Sequence, residues 1–523
     1  MPRLPSLLTA YRTLIHSGLG ERRIWRDINE MVQSCSLSQN SDFETYVQDQ
    51  HKHSAVQALQ QKMLSESLNT IISPAFMTLS AGVHGSHVIS LPRIWRSFMK
   101  RKGIGISIFS GCLFALNILR RWRGGYQHAR FLKSSSHPPA PKNSYAVTFD
   151  IVPGALPDLN DDPEKVKKLS YWIQKKFPHD VFWHATSLRP DLPAIAGHVI
   201  YPQYLPALRT LESEKAFSRH VKSALWRALR DILRGRWQPA FMMKDIVTYL
   251  YVRHLHRDDV AKAYFFTNSH YMHRPLWTYE MADKGSKIHL IFYSTNGFNI
   301  KMTDGMDNGY CPGYQNMTWP IYHTMTPQHA DFIRECVTGS PDIHVQGLIP
   351  FEDKAEPINL GHGKKMVFFD VQPFRPEFMA GIGRPCHFYT PEISRQSFED
   401  IAKACRADQI HFFCKPKRDV GDRLCPEYDQ MLSEGHDQGL WHVLDHRISP
   451  ARICAEADIV ICQPFTSAGL FAQALGKPSA YYDPMSIFEK NQPASQGIPV
   501  LQGSEELMDW IKGVIHEQDR LLA

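Results

Sequence analysis

The chain has no Cys-x-x-Cys pair and no cluster of cysteine and histidine with zinc-ligand spacing, although it contains ten cysteines. Scattered cysteines in a chain of 523 residues are typical of free thiols in a reducing compartment. The first twenty residues have neither a compact apolar segment nor a small-residue cleavage site, so we expect no secretory signal. These absences predict a cytoplasmic protein without a structural zinc site.

Acidic residues are missing from the stretch 93–133, which contains ten lysines and arginines. Between its two basic clusters, residues 103–119 form an uncharged and largely apolar run at the short limit of what spans a bilayer. We expect an interfacial or re-entrant helix, held by apolar burial and by attraction to anionic lipid. A true membrane span and a buried core helix with a basic rim are the alternatives.

The net charge of +7 suits an anionic partner, whether lipid head groups, phosphorylated substrates or nucleic acid. The basic residues flank an apolar run and do not interleave with aromatic residues, so no nucleic-acid partner is expected. The protein is therefore predicted to be peripheral at the inner face of the cytoplasmic membrane.

A Ser/Pro-rich stretch over 134–142 cannot continue a helix and predicts a linker. Residues 1–133, before it, are predicted to form a helical basic region. After it, strands alternate with helices in two blocks, 143–350 and 366–523, joined by a polar hinge over 351–365. This alternation predicts an α/β fold with two Rossmann-like domains, each built on a mainly parallel sheet, that face a cleft. Ligands of such folds bind in the cleft, at the carboxyl ends of the strands.

The strongest local pattern is an apolar strand, Asp458–Cys462, followed by Gln-Pro-Phe, Thr466, Ser467 and a helix of small residues. A helix start presents unpaired N–H groups and the positive end of the helix dipole, and the two hydroxyl groups add donors there. Gly469 permits close approach of a ligand or of the sheet. The pattern predicts a phosphate site, and the alternative is that Thr466 or Ser467 merely caps the helix.

A second predicted strand, Ile410–Cys414, ends in three cations around a proline. These cations are Lys415, Lys417 and Arg418. Because proline has no N–H donor, we expect the side chains to contact a diphosphate or a sugar carboxylate. His446 and Arg447 follow a later strand, where a nucleotide base or ribose is often held. A solvated basic turn is the alternative at both places.

Two of these segments resemble a known family. Pro464-Phe465-Thr466-Ser467, with its surroundings from Asp458 to Pro484, and Lys415-Pro416-Lys417-Arg418 are similar to the bacterial polysaccharide biosynthesis PFTS motif family, which is linked to O-antigen and capsule loci. The resemblance covers about residues 260–515. It implies a GT-B-like glycosyltransferase whose second block holds a nucleotide-sugar donor and whose first block holds a lipid-linked or surface glycan acceptor.

The second block also resembles GT-B-like enzymes that use CMP-activated acidic sugars. Thr466 and Ser467 match the Ser/Thr pair of those enzymes, whereas Lys417-Arg418 stand where they have His-Pro. This resemblance favours a CMP-sugar donor. The absence of an Asp-x-Asp at a strand end agrees with a mechanism that uses no metal, and no cofactor is expected.

Glycosyl transfer with inversion needs a base that deprotonates the acceptor hydroxyl. The candidates are Asp150, at the end of the first strand of the first block, and His270, His273 and Glu280, near a later strand end. Trp277 lies among them and is predicted to stack on the acceptor sugar.

Other functions fit the same sequence. On the same scaffold, a nucleotide-sugar epimerase or a polyol-phosphate transferase is an enzymatic alternative. A non-catalytic polysaccharide assembly protein, with a degenerate Rossmann pair and a basic membrane face, is the third hypothesis.

Overall fold

In a computed structural model, every strand of the described chain runs parallel to its neighbours within one of two sheets. The described residues are 46–67, 104–134, 137–142, 144–149, 151–186, 197–234, 236–268, 274–294, 300–305, 314, 317–337, 339–351, 358–375 and 389–522.

The first sheet consists of β1 Tyr145–Phe149, β2 Val181–Ala185, β3 His198–Tyr201, β4 Ala263–Thr267, β5 Lys287–Ile291, β6 Ile321–Thr324 and β7 Asp342–Val345. The strand order is β3-β2-β1-β4-β5-β6-β7. Every residue of the central strands β1 and β4 is buried. Their continuous apolar and aromatic runs are typical of parallel strands covered by helices on both faces. This sheet and its helices are the first domain.

The second sheet consists of β8 Lys365–Asp370, β9 His411–Pro416, β10 His442–Val443, β11 Ile459–Cys462, β12 Ser479–Asp483 and β13 Val500–Gln502. Its order is β10-β9-β8-β11-β12-β13. In both sheets the order reverses beside the first strand, between β1 and β4 and between β8 and β11, which is the doubly wound arrangement. The predicted α/β fold with two Rossmann-like domains is confirmed. This sheet and its helices are the second domain.

The helices of the described residues cover the faces of both sheets. They are α1 Lys52–Ser67, α2 Ile104–Ser134, α3 Leu169–Lys176, α4 Leu211–Leu233, α5 Gln238–Phe241, α6 Met243–Arg253, α7 Trp277–Asp283, α8 Pro327–Cys336, α9 Pro391–Ala407, α10 Pro426–Asp437, α11 Pro450–Glu456, α12 Ala468–Ala474 and α13 Gly503–Leu522. The start of α9 shows how the sequence sets a helix boundary. The Thr390 side chain accepts a hydrogen bond from the Ile393 N–H, and Pro391 occupies the first turn, where no N–H is needed.

The N-terminal helices α1 and α2 pack against the first domain. α2 lies along α6 and also touches α4 and α5. The Trp122 indole donates to the Leu225 carbonyl (3.0 Å), and His128 is hydrogen-bonded to Thr248 (2.9 Å). Residues 93–103, with the first basic cluster, lie outside the described residues. None of the described helices is long and apolar enough to cross a membrane.

The two domains contact each other through loops that follow the carboxyl ends of their strands. The loop after β5 forms an antiparallel bridge between Met302 and Phe488, which follows β12. Gln492 holds the backbone of Lys301 at both polar groups, accepting from its N–H (2.9 Å) and donating to its carbonyl (3.0 Å). The carboxyl ends of both sheets therefore point toward the boundary between the domains, where the sequence predicts the ligand cleft.

Four buried histidines form two hydrogen-bonded rows in the first sheet. In one row, Thr148 Oγ1 contacts His184 Nδ1 (2.6 Å), and His184 Nε2 contacts His198 Nδ1 (2.9 Å). His198 Nε2 then contacts the side-chain oxygen of Gln174 (3.1 Å). A single assignment satisfies this row, in which both histidines are neutral and carry their proton on Nε2. A second proton, on His198 Nδ1, would point at the N–H of His184 Nε2, so this hydrogen bond would be lost.

The second row has the same polarity. The Gln346 amide donates to His323 Nδ1 (3.4 Å), which leaves His323 Nε2 to donate to His289 Nδ1 (2.9 Å). Burial, and for some the neighbouring histidines, lower the pKa of all four groups, to about 4 for His198 and about 3 for His289 and His323. The first domain therefore folds with these side chains uncharged.

This arrangement predicts that the protein loses stability in mild acid. Below pH 6.5 the histidines of the unfolded chain bind protons that the folded state does not accept, so the free energy of unfolding falls as pH drops from 6.5 toward 4. The loss is about 2 kcal/mol for each such histidine at pH 5. Urea unfolding at pH 7.5 and pH 5 measures it. His289→Gln should reduce the difference between the two pH values, whereas His516→Gln, at an exposed site, should not. An equal pH dependence in His289→Gln and the parent chain would contradict the assignment.

Candidate active site

The reversal of strand order in the second sheet creates the candidate site, between the ends of β8 and β11. Gln463 follows β11 and joins the two strand ends, because its N–H donates to the Phe369 carbonyl (3.0 Å) and its side-chain oxygen accepts from the Val371 N–H (2.8 Å). Its side chain is buried. Gln463 therefore fixes the end of β11 against the end of β8, at the point where the following loop begins.

The Pro464-Phe465-Thr466-Ser467 segment is held at its backbone by two tyrosines. Tyr389 donates to the Pro464 carbonyl (2.8 Å), and Tyr481 donates to the Thr466 carbonyl (2.9 Å). The Phe465 ring is buried edge-to-face against Tyr481. Tyrosine hydroxyls and an aromatic anchor thus set the loop conformation, and they explain why this segment is rigid enough to position a polar group.

The two hydroxyl groups of the segment have different environments. Thr466 Oγ1 is buried beside the Cys462 thiol, and no described group meets ordinary hydrogen-bond geometry with it. Ser467 is half-buried and stands at the start of α12, where its side chain makes no capping hydrogen bond. Of the predicted pair, only Ser467 offers an accessible hydroxyl in this structure, and it is not occupied by the capping role that was the alternative.

Gly469 has a packing role. A Cβ added at this position would lie 2.9 Å from Ile498 Cδ1 and 3.4 Å from the Tyr481 ring. The missing side chain therefore lets α12 approach β12 and the segment that follows it. Of the two expectations for Gly469, close approach of a ligand or of the sheet, the structure agrees with the second, because the space is filled by the protein.

Lys415 is buried at the end of β9, where it pairs in register with Phe369. Its charge acts on the Cys454 thiol of α11, whose Sγ lies 3.8 Å from the Ala468 carbonyl at the start of α12. Lys415 and Ser467 therefore lie on the same side of the sheet, as the phosphate-site prediction requires.

The turn after Lys415 is organised by Gln372. Its side-chain oxygen accepts from the N–H groups of Lys417 (2.9 Å) and Arg418 (3.3 Å), and its amide nitrogen donates to the Arg418 carbonyl. Both cations are exposed as whole residues. Desolvation, followed by the charges of Arg418 and Lys415, lowers the pKa of Lys417 to about 8. Three cations so close together favour an anion in their midst.

His446 and Arg447 lie in the turn after the edge strand β10. Arg447 forms a two-pronged ion pair with Asp445 through Nε (3.0 Å) and Nη2 (2.6 Å), and this pair lowers the pKa of the Asp445 carboxyl. His446 Nδ1 is 3.6 Å from the same carboxylate. The Arg447 charge is thus already matched by a neighbour, so its contact with a nucleotide stays a prediction.

The acceptor candidates of the first domain separate into two groups. Asp150, His270 and His273 lie outside the described residues. Trp277 is only 4% exposed and packs against Phe149 with a ring-centre distance of 5.5 Å. The prediction that Trp277 stacks on a sugar is therefore wrong for this structure, in which its ring belongs to the core.

Glu280 is also buried by the protein. It lies on α7 with its carboxylate 3.6 Å from His51 Nδ1, near α1, and 3.6 Å from the Lys284 ammonium. This position is on the flank covered by the N-terminal segment, away from the ends of the strands. A role for Glu280 as catalytic base is not compatible with that placement.

Asp370, at the end of β8, was not predicted as a site residue. Its carboxyl group is fully buried next to the Tyr428 hydroxyl, and burial raises its pKa to about 6. Neither carboxylate oxygen has a described partner that meets ordinary hydrogen-bond geometry. The sequence signal is an acidic residue that ends an apolar strand, the same pattern that drew attention to Asp150.

A profile of the family described as "Polysaccharide biosynthesis PFTS motif protein" matches residues 224–511, more than half of the chain. The chain belongs to this family. The match includes both sheets from β4 onward, the Gln463–Ser467 segment and the Lys415–Arg418 turn. No curated protein matches this PFTS-motif protein in sequence.

Several solved structures have a distantly similar course of the chain. An E. coli trehalose-6-phosphate protein bound with UDP-2-fluoro glucose is 9% identical and has a TM-score of 0.37, covering 71% of this chain and 91% of that one. The wall teichoic acid polymerase TagF is 11% identical with a TM-score of 0.35, covering 70% and 78%. The lipopolysaccharide outer core galactosyltransferase WaaB is 9% identical with a TM-score of 0.33, covering 72% and 91%.

The buried carboxyl of Asp370 gives a prediction for stability. A carboxyl whose pKa is higher in the folded state binds its proton more tightly there, so the stability that it contributes declines as pH rises from about 4 to above 6. Asp370→Asn should therefore raise the free energy of unfolding by about 1 to 3 kcal/mol at pH 8 and by about half as much at pH 5. Urea unfolding at both pH values tests this. A variant that is less stable at pH 8 would show instead that the ionised carboxylate is stabilised by Tyr428 and Val371.

Proposed function

We propose that this PFTS-motif protein is a glycosyltransferase. It moves a sugar from a nucleotide donor held by the second domain to a lipid-linked or surface glycan acceptor held by the first domain. The observation that carries the proposal is that Lys415 and the Lys417–Arg418 turn end β9 while Ser467 follows β11, two strands separated only by β8, so that all of them lie at the carboxyl end of the second sheet. The family's association with polysaccharide biosynthesis supports the same reaction class.

The chemistry of transfer requires this type of site. As the bond from the sugar to the donor phosphate breaks, negative charge accumulates on the leaving nucleotide, and fixed cations stabilise it. Lys417 and Arg418 are placed to neutralise that charge from the solvent side, and Lys415 from within the domain. The Ser467 hydroxyl supplies a hydrogen bond to a phosphate oxygen. Because protein cations supply the charge, the proposed mechanism uses no metal.

The base that activates the acceptor is proposed to be Asp150. This residue directly follows β1, and β1 and β4 form the reversal of strand order in the first sheet. His270 and His273 follow β4 in the sequence, so they are proposed to contact the acceptor from the other side of the same reversal. The His446–Arg447 turn is proposed to lie near the nucleotide base.

The finer assignments belong to the same proposal. A CMP-activated acidic sugar is the favoured donor, on the likeness of Thr466-Ser467 to the pair in enzymes that use such donors. The product is O-antigen or capsular polysaccharide, and the protein works as a peripheral protein at the inner face of the cytoplasmic membrane. Closure of the two domains around the hinge would exclude water and limit hydrolysis of the donor.

Nucleotide binding provides the first test. Purified protein is heated with CMP, UDP, GDP or dTDP, and one of them should raise the melting temperature. A ligand at about a hundred times its dissociation constant stabilises the fold by roughly 2.7 kcal/mol. Ser467→Ala should lose most of this shift, whereas Ser433→Ala, on the exposed face of α10, should keep it. No shift with any nucleotide, from a protein that melts cooperatively, would favour the non-catalytic assembly protein.

Substitution of the base separates binding from chemistry. Asp150→Asn should lower the rate of sugar transfer by at least about a hundredfold, because the acceptor hydroxyl loses its proton acceptor. The nucleotide-dependent melting shift should remain, since Asp150 belongs to the other domain. Incubation of the nucleotide-sugar without acceptor serves as the control for the enzymatic alternative. Conversion of the sugar under those conditions would indicate an epimerase. Transfer of a polyol phosphate to the acceptor, in place of a sugar, would indicate a polyol-phosphate transferase.

A further inference from the structure

The large apolar side chains at the surface are concentrated on two helices. Seven of the eleven that are strongly exposed in the described chain belong to α2 or α4. These seven are Leu116, Leu119, Tyr126, Phe131, Leu211, Trp226 and Leu233, and Trp226 and Leu233 are 69% and 82% exposed. Exposed aromatic and leucine side chains that cluster in this way mark an interaction surface.

The same helices present unpaired positive charge. α2 has no acidic residue along its length, and its exposed stripe combines Leu116 and Leu119 with Arg120, Arg123 and Arg130. On α4 the stripe combines Trp226 and Leu233 with three further cations. These are Arg219, Lys222 and Arg230. None of these six cations forms an ion pair with a carboxylate of the described residues.

The two stripes lie side by side. The indole of Trp122 on α2 donates to the carbonyl of Leu225, the residue that precedes the exposed Trp226. At the C-terminal end of α2, burial and then the charge of Lys222 on α4 lower the pKa of Lys133. Cations of the two helices are therefore close enough to repel one another. Repulsion of this kind persists only where an anionic partner or bulk water offsets it.

We propose that the stripes of α2 and α4 form one docking surface for an anionic lipid bilayer. We call it the lipid face and define it by Leu116, Leu119, Tyr126, Trp226 and Leu233 with the six cations. Apolar side chains enter the acyl boundary, tryptophan and tyrosine sit at the head-group level, and arginine and lysine contact lipid phosphates. Trp226 and Leu233 stand on a helix that the sequence alone did not connect with a membrane.

The lipid face deepens the proposed function and rests on it for its purpose. A lipid-linked acceptor is confined to the bilayer surface, so an enzyme that uses it benefits from docking through the domain that binds the acceptor. Both helices pack on the first domain, which is proposed to hold that acceptor. Commitment to a lipid partner follows from the charge, because a second copy of the chain would bring the same uncompensated cations against each other.

The test is co-sedimentation of the full chain with vesicles. One set contains only phosphatidylcholine, and the other contains phosphatidylcholine with about 30% phosphatidylglycerol, a composition chosen to give an anionic surface. The chain should bind the anionic vesicles and bind the neutral ones far more weakly. Arg120→Gln, Arg123→Gln and Arg130→Gln together should weaken partition about a hundredfold, since each basic residue near the surface contributes about fivefold.

Matched controls separate the face from general effects of charge and apolarity. The charge control replaces three exposed cations of α9 in the second domain, through Arg395→Gln, Lys403→Gln and Arg406→Gln, and should leave binding unchanged. Trp226→Ser with Leu233→Ser should weaken binding at least tenfold, whereas Leu159→Ser, which is 64% exposed elsewhere on the surface, should not. All of these positions are exposed, so the variants should melt like the parent chain.

Three results would overturn the proposal. The first is a folded chain that binds neither type of vesicle, and the second is equal loss of binding in the α9 control. The third is concentration-dependent dimerisation that Trp226→Ser abolishes without any vesicle binding, since it would assign the surface to a second copy of the chain. The nucleotide-dependent melting shift should be intact in every lipid-face variant. Absence of that shift in the parent chain would contradict the proposed donor site and would not affect the vesicle result.

Discussion

The amide of Gln492 is the contact on which the arrangement of the two domains depends. It bonds both polar groups of the Lys301 backbone and thereby extends the loop after β5 against the segment after β12. Thr326 adds a second tie, because its hydroxyl donates to the Gln496 side chain (2.5 Å). Parallel sheets direct all their carboxyl ends one way, so these bonds between carboxyl-end loops, with the Met302–Phe488 bridge beside them, turn both sheets toward a common boundary. The position of every site residue follows from that orientation.

Most of the architecture could be predicted from the sequence, because the elements are long and strongly patterned. The sequence pattern predicts a strand over Tyr145–Phe149 and helices over Pro391–Ala407 and Pro450–Glu456, and the structure has all three with the same bounds. The strands that the sequence did not reveal are β3, β6 and β13. They have three or four residues each, and two of them, β3 and β13, are edge strands, which lack the continuous apolar run of a central strand. The pattern also predicts a helix from Pro163 to Lys176, whereas α3 begins only at Leu169, after a polar turn.

The site was predictable where chemistry and secondary structure agree, and unpredictable where packing decides. Lys415 and Ser467 could be predicted as candidates because a charged group ends one apolar strand and a hydroxyl group closes the turn after another. Trp277 and Glu280 follow a strand end in the same way, but α7 turns both side chains into the protein, toward the core and toward His51. Gln372 and Gln463 carry no charge and break no pattern, so only the folded backbone shows that their amides hold the two site loops in place.

The Gln372 amide has a consequence for how the basic turn recognises a ligand. Many phosphate sites use a row of backbone N–H groups, which reads the shape of the anion and hardly responds to salt. Here the N–H groups of Lys417 and Arg418 are already bonded to Gln372, so only an ammonium and a guanidinium on flexible stems remain for an anion. Recognition by such groups senses charge more than shape, weakens as ionic strength rises, and tolerates variation in the anion. For the nucleotide donor proposed above, discrimination among nucleotides would then fall to a different part of the cleft.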